Sequence, residues 1–89
     1  MNTKFLLLAQ YHGQLFISLE QICADYFTHL CPAMLERKVL EGKIRLPITR
    51  IEPSNKAPRG VHIDDLANYI DAQRAAAVKE CEQLNRRRA

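Results

Sequence analysis

Between Ile17 and Leu66 the signals that start helices, stop them and change the hydrophobic period follow so closely that few folds accept them all. Ser18 stands where a helix needs a cap, Gln21 follows three residues on, and Ile17 and Ile22 hold the two staple positions. Together these fix a helix start locally. The helix predicted over Leu19 to Phe27 sets Leu19, Ile22, Cys23, Tyr26 and Phe27 on one side and Glu20, Gln21, Ala24 and Asp25 on the other, an amphipathic pattern. Thr28-His29-Leu30 then makes a turn, and Pro32 takes the first position of another helix behind Cys31, where its missing amide costs nothing. Leu30 and Leu35 are again at staple spacing. Cysteine caps weakly, so this second start depends on packing.

That second helix runs to about Glu41 and ends at Gly42, the residue type expected just past a helix end. About ten residues span roughly 15 Å, enough to lie in a major groove. Leu35 and Val39 would face the core, which leaves Ala33, Met34, Glu36, Arg37, Lys38 and Glu41 on the outer arc. After Gly42 the period becomes two: Ile44, Leu46 and Ile48 alternate with Lys43, Arg45 and Pro47, as in a strand with one buried face. Ile51 falls out of phase, so the strand either bulges near Thr49-Arg50 or is confined to an edge by Pro47. The loop 52–60 carries Pro53, Pro58 and Gly60, and Val61-His62-Ile63 returns as the partner strand. A capped helix, a turn, a second helix and a basic ribbon is the order of a winged helix-turn-helix, and DNA binding is the first expectation.

Asp64 and Asp65 are expected to cap the last helix and favour its positive end. Its stripe Leu66, Ile70, Ala77, Cys81 and Leu84, with Gln73 between, keeps helical spacing for about 30 Å. Towards the N-terminus, Thr3 would cap a short helix carrying Phe5, Leu6, Leu8 and Ala9. The run Phe5 to Leu8 also fits a buried strand, and helix is the expectation. His12-Gly13 breaks that pattern, and Leu15-Phe16-Ile17 is short and apolar enough for a small strand at the ribbon's edge. The organisation expected is one domain over 1–89, mainly α with a small antiparallel β-ribbon. It divides into an N-terminal segment 1–17, a helix-turn-helix 18–42, a wing 43–63 and a long C-terminal helix 64–89.

Eighty-nine residues can build one modest core but no deep enzymatic cleft. The net charge of +3 leans towards an acidic partner. The lean is local: Arg37, Lys38, Lys43, Arg45, Arg50, Lys56 and Arg59 concentrate in the second helix and the ribbon, against Glu36, Glu41 and Glu52. Such a cluster is often a solvated face only. Here it covers the two elements that meet DNA in this layout, and it supplies the expected DNA-binding residues: Arg37, Lys38, Met34, Ala33, Lys43, Arg45, Arg50, Lys56 and Arg59.

Other chemistry has less behind it. Cys23, His29 and Cys31, with Cys81 or His12, include metal-ligand types, but without a Cys-x-x-Cys pair or a zinc-like spacing. No metal or cofactor is expected, and three unpaired cysteines suit a reducing cytoplasm. His62 beside Asp64 and Asp65 resembles a base with an orienting acid only until capping accounts for the aspartates. Gly13, Gly42 and Gly60 all read as turn residues, and no phosphate-cradling loop is present, so no enzyme is expected. The run Phe5 to Ala9 is too short for a membrane span or an export signal. The expected location is cytoplasmic, at the nucleoid.

Four segments carry a family resemblance: FLLLAQY at Phe5 to Tyr11, LEQICADYF at Leu19 to Phe27, KVLEGKIRLP at Lys38 to Pro47, and KAPRGVHIDDLANYIDAQRAAA at Lys56 to Ala77. By these the chain resembles the pyocin activator protein, or PrtN-like, family. The resemblance implies a bacterial or prophage transcription activator that binds double-stranded promoter DNA of bacteriocin or phage-tail-like gene clusters, with RNA polymerase as a candidate further partner. It carries no base-contacting residues over to particular positions, so the site residues rest on charge and geometry. The alternative is a protein-interaction module on the same scaffold, binding through the last helix. A homodimer joined at Ala77, Cys81 and Leu84 is expected, because a small domain covers only the first turns of so long a helix. Folding of that stripe back onto Phe5, Leu6 and Leu8 is the competing arrangement.

Overall fold

The computed structural model describes residues 2–53 and 57–88. Helix α1 (Thr3–Gln10) leads into strand β1 (Phe16–Ser18), followed by α2 (Leu19–Tyr26), α3 (Pro32–Leu40), β2 (Thr49–Arg50), β3 (Arg59–His62) and α4 (Ile63–Arg88). The three strands form one antiparallel sheet in the order β1-β3-β2. Phe16 pairs with His62 and Ser18 with Gly60 on one edge of β3, while Thr49 pairs with Gly60 on the other. The molecule is thus mainly helical, with a small antiparallel sheet and a long C-terminal helix.

The N-terminal segment is a helix, but Asn2 caps it rather than Thr3: the Asn2 side chain accepts from the Lys4 amide at 2.9 Å. Its C-terminus closes with the Gly13 amide donating to the Leu8 carbonyl and that of His12 to Ala9. This double return needs a left-handed residue, and His12 supplies it with φ 56. Ser18 caps α2 as predicted, its hydroxyl accepting from the Gln21 amide at 3.2 Å. The Gln21 side chain does not reach back to Ser18; it donates to Asp25. Both staple pairs are buried, Ile17 with Ile22 and Leu30 with Leu35. Cys31 makes no side-chain cap bond, so proline and packing hold the start of α3. Gly42, at φ 77, donates to the Val39 carbonyl and Lys43 to that of Lys38, which stops α3 where the sequence predicts.

Four expectations for the ribbon and the helix that follows it need correction. Residues 43–48 are not a strand, although Ile44, Leu46 and Ile48 face inward as the alternation requires, Leu46 completely. Ladder pairing in β2 begins only at Thr49, after Pro47, which has no amide to donate. Ile63 is helical rather than the end of the return strand. The cap of α4 is His62, whose Nδ1 accepts from the Asp64 amide at 3.0 Å, so neither aspartate caps the helix as expected. Gly60 is not a turn residue: it lies inside β3, where an added Cβ would stand 2.3 Å from the Ile17 carbonyl oxygen and 2.7 Å from the Phe16 ring.

Ile17, Ile22, Leu35, Leu46, Val61, Ile63 and Leu66 form the fully buried centre. Every element except the short β2 gives at least one buried side chain to the core built around it, α1 through Leu7. Helix α1 packs on α4, and α4 in turn on β3. At their junction the Thr3 hydroxyl donates to Asp71 at 2.6 Å and Lys4 pairs with Asp64 at 2.8 Å.

Candidate nucleic-acid interface

Burial of Leu35 fixes how α3 is turned. With Leu35 against the core and Val39 half-buried beside it, Ala33, Met34 and Arg37 are exposed. Lys38 is partly covered, and its carbonyl receives the Lys43 amide that closes the helix. Leu40, which the sequence reading did not single out, is 80% exposed. The outward arc therefore carries an apolar portion at Ala33 and Met34 and a basic one at Arg37.

The ribbon is tied to this helix by one carboxylate. Glu36 accepts from Arg59 at the start of β3, and Arg50 of β2 lies 4.0 Å from the same oxygen. Arg59 is accordingly not held out from the body on a projecting loop, as its place beside Pro58 suggests; its side chain is 27% exposed and points back to α3. Its charge, and part of that of Arg50, is answered within the molecule. Lys56, the other expected wing contact, lies outside the described residues. Glu36 is the partner of the ribbon arginines that sequence reasoning missed. A pairing across twenty-three positions leaves no local signal.

Lys43 and Arg45 sit elsewhere again. Both are exposed, and with Gly42 and Pro47 they line a groove against Asp65, Tyr69 and Ala76 of α4. Lys43 also stands 4.0 Å from Glu41, a loose surface contact. The predicted basic residues thus fall into three groups: the α3 arc, the ribbon pair tied to Glu36, and the pair beside α4.

The remaining titratable groups explain themselves structurally. Tyr11 donates to Asp25 at 2.7 Å, and burial first, then this bond, pushes its hydroxyl pKa up. The Gln21 and Tyr11 hydrogen bonds hold the Asp25 carboxyl below the ordinary aspartate range. Burial raises the Cys23 thiol. Cys31 and Cys81 are exposed. Among the described residues no cluster of His, Cys, Asp or Glu is placed to hold a metal ion, and no helix is long and apolar enough to cross a membrane.

The family model described as Pyocin activator protein PrtN matches residues 3–77. No curated protein and no solved structure matches the chain. The matched span runs from the first residue of α1 into the third quarter of α4 and takes in α3, the ribbon and both sides of the α1–α4 contact.

Proposed function

The chain belongs to the pyocin activator protein family, a regulatory family, and we propose that it is a sequence-specific, DNA-binding activator of bacteriocin or phage-tail-like gene clusters. On this reading α2 and α3 are the helix-turn-helix of a winged domain, α3 enters the major groove, and the chain between β2 and β3 is the wing. What supports it most is the orientation of α3: Leu35 locks it to the core while Ala33, Met34 and Arg37 face outward along one arc. Side chains near the N-terminal half of such a helix meet base edges. Met34 and Ala33 are suited to a thymine methyl, and Arg37 to the paired acceptors of guanine.

On this reading the Arg59–Glu36 contact links the ribbon to α3, so both approach the duplex together. Arg50 and Lys56 then serve backbone phosphate, with Arg59 mainly holding the ribbon in place. Lys43 and Arg45, directly after α3, extend its basic end towards flanking phosphates. RNA polymerase would be the second partner of an activator working by contact, at the nucleoid in the cytoplasm.

Binding to promoter DNA across a salt series tests the reading. Arg37→Ala should cost about 1–3 kcal/mol on the cognate site and relax preference at one base pair, whereas Arg50→Ala should weaken cognate and random DNA alike and lower the salt slope by about one. Unchanged promoter affinity in a folded Arg37→Ala, Lys38→Ala double variant would overturn it.

A further inference from the structure

The outer half of α4 carries a surface that neither the core nor the DNA-binding reading uses. Helix α1 accompanies α4 only as far as Asp71 and Arg74, where Asn2 and Thr3 complete a shared depression. From Asp71 to Arg86 every residue is exposed, Leu84 to 52%. Of the N-terminal segment, Leu8 is partly buried against the core, as is Ile70, but Phe5 and Leu6 are exposed and so are Ala77, Cys81 and Leu84, so the outer stripe does not fold back on it.

Ile70, Gln73, Ala77, Cys81 and Leu84 share one face of this helix, at successive steps of 3, 4, 4 and 3 residues. That spacing is the same read from either end, with Ala77 at its centre. A contact between two copies about a two-fold axis needs such a self-matching patch. Because seven residues rise about 10.5 Å in either direction, an axis through Ala77 sets Ile70 level with Leu84 of a second copy, Gln73 with Cys81, and Ala77 with itself. The small alanine at the axis lets the two backbones approach.

Two further observations select this arrangement. At the level of Ile70, the side chains of Tyr26, Phe27, Leu66, Tyr69, Ile70 and Gln73 line a groove. In the antiparallel pair, Leu84 of the other copy arrives at that level and on that flank. Glu80 lies on the same flank as Gln73, so its carboxylate falls beside the amide donors of Gln73 in the second copy. Parallel pairing would instead set the two Glu80 side chains on opposite flanks of the seam, away from Gln73 of the other copy, and would hold Leu84 level with Leu84 and away from the groove.

We propose that α4 pairs antiparallel with α4 of a second copy of this chain, about a two-fold axis at Ala77, with each Leu84 seated in the groove beside the other copy's Ile70. This does not rest on the DNA-binding reading, and its test needs no DNA. In a full-length background carrying Cys31→Ser and Cys81→Ser, Ala77→Cys should cross-link to a covalent dimer under mild oxidation with copper phenanthroline. Leu84→Cys alone should not, because its two copies stand about 21 Å apart. A mixture of Ile70→Cys and Leu84→Cys chains should give the mixed dimer. In the unmodified chain, Ala77→Glu places two carboxylates at the axis and should raise the dimer dissociation constant in sedimentation about a hundredfold or more. Its helix content should stay unchanged, because position 77 is exposed, while its melting temperature should lose the dependence on protein concentration that a dimer shows. Leu84→Cys cross-linking as readily as Ala77→Cys would overturn the antiparallel register, and a chain that sediments as a monomer throughout the micromolar range would overturn the pairing.

Discussion

Arg59, the first residue of β3, donates through its guanidinium to the carboxylate of Glu36 in the middle of α3. Both side chains are less than a third exposed, and Arg50 approaches the same oxygen. One carboxylate therefore sets the angle between helix and ribbon. Glu36→Gln should keep the fold and lower stability by about 1 kcal/mol, and a double-mutant cycle with Arg59→Ala should return coupling of similar size. On the DNA-binding reading the same variant should bind random DNA more tightly with a steeper salt slope, since two cations are released. Urea melts and a salt series on one preparation check both; zero coupling would mean that the ribbon is held by Val61 and the sheet alone.

Gly60 is constrained from the other side of the sheet. Its missing Cβ would meet the Ile17 carbonyl oxygen at 2.3 Å as well as the Phe16 ring. The ring can turn away, but the carbonyl belongs to the β1 backbone paired with β3. Gly60→Ala is expected to cost about 2–4 kcal/mol by prising β1 from β3. Adding Phe16→Ala should not rescue it, because the backbone clash remains. A stable Gly60→Ala variant in a thermal melt would refute this account of the strand.

These two positions mark where the sequence was readable and where it was not. Local chemistry announced α2 and α3: Ser18 with the Gln21 amide, Pro32, Gly42 and the staple pairs all act within a few residues, and all stand where spacing placed them. The inward set Ile44, Leu46 and Ile48 was also legible, because alternation records burial. It does not record whether a partner strand lies alongside, which is why residues 43–48 read as a strand and are not one. Gly60, His62 and Glu36 escaped for the same reason. Each acts through a partner chosen by the tertiary fold: a carbonyl from β1, an amide revealed once the helix begins at Ile63, and a guanidinium twenty-three positions away. Of the candidate interface, the exposed α3 arc was visible in the four-residue spacing of Leu35 and Val39, while the neutralisation of Arg59 was not.

His12 holds the left-handed position that ends α1, with φ 56, a conformation in which a side chain with a Cβ is strained. Glycine relieves that strain in the folded state and costs some extra entropy in the unfolded one. His12→Gly should therefore stabilise the domain by about 0.5–1 kcal/mol, raising the melting temperature by a few degrees for a chain of this length. His12 is exposed and makes no side-chain hydrogen bond among the described residues, so only the unfolded-state entropy opposes the gain. A lower melting temperature would show that the histidine side chain stabilises the turn in some other way.

The bond from Tyr11 to Asp25 joins the end of α1 to α2 and gives the fold a pH window with two edges. The folded Asp25 pKa is depressed, chiefly by Gln21 and then by Tyr11. Its contribution is therefore present above the ordinary aspartate value of about 3.9 and is lost as pH falls through the lower folded value. The Tyr11 pKa is raised, chiefly by burial. Its contribution is present below the ordinary tyrosine value of about 10 and is lost as pH rises beyond it, because the unfolded chain ionises first. Stability from this pair should form a plateau between those values. Tyr11→Phe should lower the plateau by about 1–2 kcal/mol and flatten the alkaline edge, since no hydroxyl is left to ionise. Asp25→Asn should flatten the acid edge instead, leaving the alkaline one. Urea unfolding from pH 3 to 11 separates the cases, and an alkaline edge unchanged in Tyr11→Phe would assign that edge to another group.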